Sequence, residues 1–91
     1  MTSLQQTTVP SGLNPLVAAL WHEAHGDWNT AHRLTQGING VESAWVHAYL
    51  HRKEGDIANA SYWYSRANRP VSQLPLTQEW ENIARALLSR Q

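Results

Sequence analysis

Apolar side chains recur along this chain at helical spacing, and polar turn residues interrupt them at short intervals. Leu16, Ala19, Leu20 and Ala24 share one face of a segment that opens at Asn14-Pro15, where asparagine can cap the first turn and proline forfeits no hydrogen bond. Gly26 is placed to end that helix in a left-handed conformation. Asp27 can then cap the next one, Trp28 to about Gln36, which stops at Gly37. Asn39 and Glu42 have the spacing of a capping box and predict a third helix through Ala44, Val46 and Leu50 to Lys53. Gly55 and Asp56 repeat the stop-and-cap pair, so a fourth helix is expected to about Ala67, ahead of Asn68, Arg69 and Pro70. Thr77 reads as the cap of a last helix in which Trp80, Ile83, Ala84, Leu87 and Leu88 form the cleanest stripe, with Glu81 and Arg85 paired outside. The pattern predicts an all-α protein of five helices.

A shift of 29 residues superposes Ala19 on Ala48, His22 on His51, Gly26 on Gly55, Asp27 on Asp56 and Ala31 on Ala60. Matches at the turn and at the small residues that set helix approach point to an internal repeat. The second unit, AWVHAYLHRKEGDIANASYWYSRANRP, resembles a tetratricopeptide repeat, since Gly55-Asp56 is followed by Ala60, Tyr64, Ala67 and Pro70 in that family's rhythm. The first, LVAALWHEAHGDWNTAHRLTQ, keeps Gly26-Asp27 and Ala31 but carries Thr35 at the aromatic position. The resemblance spans roughly residues 16 to 70 and implies two stacked antiparallel helix-turn-helix units with the last helix as a cap. Two departures stand out. The period is shorter than the family's ~34 residues, and His47 and His51 occupy positions where the family places leucine and tyrosine. The family denotes a fold and an interaction surface, and implies no reaction. The segment WVHAYLHRKEGD is also similar to one found in short bacterial proteins.

Length favours one shared core over residues 14 to 91, because two cores would each be marginal. Residues 1 to 13, rich in Thr, Ser and Gln, read as a disordered tail. Seven basic side chains balance seven acidic ones, which leaves no field to attract nucleic acid or an anionic membrane. The lack of cysteine excludes disulfides, thiolate zinc sites and cysteine nucleophiles, and fits a reducing cytoplasm. Leu16 to Trp21 is too short for a signal core or a membrane span, so a cytoplasmic location is expected.

The distribution of histidine changes this picture. All five histidines lie within one 30-residue stretch, and four of five tryptophans and all three tyrosines lie between Trp21 and Tyr64. His47 and His51, four apart on one helix, can reach one ion from the same face, and His22 is the repeat equivalent of His51. A site of His22, His47 and His51, with Glu23, Asp27, Glu54 or Asp56 nearby, would hold a divalent metal such as Zn and leave a position for water, the layout of a hydrolytic centre. The same rings can instead be core or rim groups hydrogen-bonded to backbone carbonyls and to neighbouring Tyr or Asn, and an HxxxH pair with no recognised Glu between is a weak metal signal. His25 and His32 flank the first turn, where capping or solvated roles are expected.

Trp45, Tyr49 and Arg52 form an i, i+4, i+7 stripe on the helix that the resemblance places along a concave surface, and such residues are typical interface anchors. Trp21, Trp28, Trp63 and Tyr64 are expected in the core, while Arg52, Lys53, Arg66 and Arg69 form a local basic edge. The leading expectation is therefore an interaction module that binds a peptide, a protein partner or a second copy of itself through the Trp45, Tyr49 and Arg52 groove. The alternative is the metal protein, including a metal-dependent hydrolase, and a third reading is a small-molecule pocket between the hairpins.

Overall fold

The computed structural model describes residues 14 to 89 and contains five helices and no strand among them. They are α1 (Pro15–Ala24), α2 (Trp28–Gln36), α3 (Val41–Lys53), α4 (Ile57–Arg66) and α5 (Leu76–Leu88). The tail expected at residues 1 to 13 lies outside the described residues. No helix among those described is long and apolar enough to cross a membrane.

The two Gly-Asp turns are built from the same bonds. Asn14 caps α1, its side chain accepting from the Leu16 amide at 2.7 Å. At the other end Gly26 turns left-handed at φ 83°, so that its amide reaches the Glu23 carbonyl and the Asp27 amide reaches that of His22 at 2.9 Å. Gly55, at φ 88°, does the same with Arg52 and with His51. Each aspartate at once caps the following helix, Asp27 accepting from the Thr30 amide and Asp56 from that of Asn59. One dipeptide thus closes a helix and opens the next, satisfying carbonyls on one side and amides on the other. Asn68, at φ 58°, ends α4 with the same pair of bonds.

Two helix starts differ from expectation. Asn39 does not cap α3; Gly40 holds that place at φ 118°, a conformation only glycine adopts cheaply, and offers no side-chain bond. α5 begins at Leu76 behind Pro75, so Thr77 lies inside its first turn rather than before it. The earlier start sets Glu79 on the buried face of that turn.

Helix α1 packs on α2, α3 on α4, and α2 against α3, while α5 lies across α1 and α3. Ala19, Ala31, Ala48 and Ala60 are all completely buried, because nothing larger than a methyl fits where the paired backbones approach. α3 is the central helix. Every residue from Ser43 to His51 is buried, which is why its sequence shows no one-sided stripe and why its polar side chains need internal partners. Ser43 finds two, bonding the Thr35 and Ile38 carbonyls and holding the α2–α3 connection to α3.

Candidate metal centre

The internal partners of His47 and His51 are other imidazoles. His32 from α2 and His47 and His51 from α3 each present a ring nitrogen, and these lie within 4.8 Å of one another. Nε2 of His47 stands 3.0 Å from Nε2 of His32, one ring donating and the other accepting. His51 donates from Nδ1 to the Glu54 carboxylate at 2.8 Å, so Nε2 is the nitrogen it has left for the group. A carboxylate that fixes a ring's orientation in this way is a common support for a metal-bound histidine.

Two indoles hold the rings in place. Trp28 donates to the Leu50 carbonyl at 2.7 Å, which ties α2 to α3, and stacks on His32 with ring centres 4.7 Å apart. Trp63 of α4 stacks on His47 at 3.8 Å and nearly parallel. Helices α2, α3 and α4 therefore each contribute a wall or a ligand.

Burial, and then repulsion from His32 and His51, pushes the His47 ring down to about 4, so it is neutral at pH 7. Burial and the neighbouring His51 also lower His32. Neutral imidazole is the form that binds metal. Tetrahedral zinc with Zn–N bonds of about 2.0–2.1 Å separates its donors by roughly 3.4 Å, within the range this trio already spans. A second group, His51 with Glu54 and Asp56, shares His51 with the first.

His22 is not a member of the trio. Its ring lies edge-on to Trp21 at 5.1 Å on α1. α3 packs more extensively against α2 than against α1, so the ring that joins its two histidines comes from α2. His32 takes the third place. The signal for it was its spacing of four from Trp28 and its position between buried Ala31 and Thr35 on the face that meets α3. His25 has the capping role expected of it, donating from Nδ1 to the Trp21 carbonyl at 2.8 Å.

Trp45, Tyr49 and Arg52 share a face, but α5 covers it. Trp45 and Tyr49 are buried, and Arg52 binds Glu79 of α5 at 2.8 Å as well as the Leu74 carbonyl. Glu79, itself 1% exposed, also accepts from Tyr64 at 2.5 Å and from Trp45 at 3.2 Å. Buried Glu23 takes the Tyr49 hydroxyl at 3.4 Å and pairs with Lys53. Burial and the adjacent carboxylates raise both phenols well above the ordinary tyrosine range, so both remain donors. The three residues do not share one cavity: Trp45 lines one of about 380 Å³ beside Arg69, and Tyr49 lines another of about 330 Å³ beside Lys53. The stripe of α5 needed an apolar partner, and α1 and α3 supplied it.

Comparison with family models, curated proteins and solved structures returns no match. The tetratricopeptide likeness thus stays one of turn and small-residue spacing, and the chemistry of the side chains carries the functional argument.

Proposed function

We propose that this chain is a divalent-metal-binding protein that holds zinc, or an ion of similar preference, through His32, His47 and His51. The observation that carries the reading is the convergence of three imidazole nitrogens from two helices, with a carboxylate on the far nitrogen of one ring. Three imidazoles with no thiolate favour Zn over Mg or Ca, which take oxygen ligands. Three protein ligands leave the fourth tetrahedral position to water or an external donor, the arrangement that lowers the pKa of bound water to about 7. Glu54 is committed to His51 and orients it. The rival reading, a partner docked on Trp45, Tyr49 and Arg52, draws less support, because the Arg52 guanidinium is already paired with Glu79.

The test is elemental analysis of protein purified without a histidine tag, together with thermal unfolding at rising Zn concentration. About one equivalent of metal and a progressive rise in Tm are expected, the rise following the logarithm of free metal. His32→Ala should lower the metal content as far as His47→Ala does, and His22→Ala should leave it unchanged. Absence of metal with no shift in Tm would refute the reading, as would a His22 variant that loses the ion.

A further inference from the structure

A cleft of about 690 Å³ opens beside the histidine group, between the α2–α3 connection and the end of α4. That volume lies in the range of small-molecule sites, about 300–1,000 Å³. Its walls include Ile38, Asn39, His47, Trp63, Arg66 and Asn68. Arg66 is the one permanently charged side chain on that lining, and no carboxylate shares it. Arg52 and Lys53 each have a carboxylate partner. Arg66 instead lies over the rings of Tyr62 and Trp63, at 5.7 and 5.4 Å, and donates to the Tyr62 hydroxyl. Among the described residues no ion pair to it is formed. A guanidinium backed by aromatic faces is held in orientation while its remaining donors stay available for a planar anion.

His47 belongs to both places. It lines the cleft, stacks on Trp63, and turns Nε2 toward His32. The indole of Trp63 therefore has the cleft's cation over it at 5.4 Å and a ring of the histidine trio against it at 3.8 Å. We propose that the cleft binds a small organic anion, its carboxylate paired with Arg66 and its apolar or aromatic body lying along Ile38 and Trp63 toward His47, and that this anion is the external ligand of the metal centre. The second half rests on the metal reading above; the first half does not.

The probes are terephthalate, a rigid dicarboxylate, and its neutral diamide. Each is titrated into the metal-free and the Co(II)-loaded full chain, with affinity read by calorimetry and the metal by its visible absorption. Terephthalate should bind at least about tenfold tighter than the diamide, and Arg66→Gln should remove about that factor without changing Co(II) stoichiometry. The Co(II) bands should shift on terephthalate addition to the wild type. If the protein takes Co(II) yet binds both probes alike, or if Arg66→Gln leaves terephthalate affinity intact, the anion cleft is overturned. Arg66-dependent binding with unmoved Co(II) bands would overturn the link to the metal and keep the cleft. Arg66-dependent binding by a chain that takes up no metal would overturn the metal reading and the link that rests on it, and keep the cleft.

Discussion

Replacing Glu79 by alanine withdraws one acceptor group from three donors at once. The carboxylate is 1% exposed and receives Arg52 at 2.8 Å, Tyr64 at 2.5 Å and Trp45 at 3.2 Å, binding α5 to α3 and α4. Removing one partner of a buried ion pair costs about 3–5 kcal/mol, because the other charge is left uncompensated. Each buried donor stranded besides adds about 1–3 kcal/mol, though members of one network do not add fully. A loss of about 4–5 kcal/mol is therefore expected, out of a total stability on the order of 5–15 kcal/mol. At roughly 4–8 °C per kcal/mol for a domain of this size, Tm should fall by about 16–40 °C. Glu79→Gln keeps the shape and one acceptor oxygen and should cost less, about 1–3 kcal/mol. Urea unfolding followed by far-ultraviolet circular dichroism measures both, with an unchanged slope showing that the same surface is exposed. An alanine variant within about 1 kcal/mol of the wild type would refute the reasoning, since two buried donors and a half-buried guanidinium cannot lose their acceptor at so small a cost.

Two further outcomes follow from the same physical arguments. His47 is held down to about 4 against 6.5 for the free ring, so the unfolded chain takes up that proton first as pH falls. The metal-free protein should lose stability from this group between pH 6.5 and 4 and no more below, by about 1–2 kcal/mol after solvent screening. Urea midpoints of the wild type and His47→Gln across that interval check it, and parallel curves would count against the desolvated ring. Gly26 and Gly55 sit at φ 83° and 88° with open space where a Cβ would stand, so alanine there costs backbone strain alone. A loss of about 1–2 kcal/mol is expected at each, with asparagine costing less, and thermal melts that show no loss would mean the left-handed turn is dispensable.

The helices were legible wherever a local rule sufficed. Asn14-Pro15 and the two Gly-Asp pairs act through side chains and φ angles within a few residues of themselves, and the structure places each where the sequence predicts it. Starts that depended on competition between neighbours were less legible, as at Gly40 over Asn39 and Pro75 over Thr77. The site divided along the same line. His47 and His51 share a face by helical geometry alone, so their pairing was readable from spacing. Their third partner depends on which helix lies against α3, a tertiary fact, and repeat symmetry pointed to His22 because symmetry reports equivalence and not proximity. The burial of Trp45 and Tyr49 and the pairing of Arg52 with Glu79 were illegible for a similar reason. An exposed anchor and a residue that receives a capping helix look the same until the position of that helix is known, although the acidic Glu79 in the first turn of α5 was the clue to where it docks.

The placement of α5 has a consequence for how the chain comes apart. In an open array of helix pairs each pair touches only its neighbours, and an end can fray while the middle persists. Here the last helix lies across the first and third, and the Trp80 indole donates to the Leu20 carbonyl across 60 residues of sequence. The first and last helices of the described residues thus secure each other, neither hairpin can peel away without losing its hold on α5, and a closed clasp of this kind is expected to open all at once.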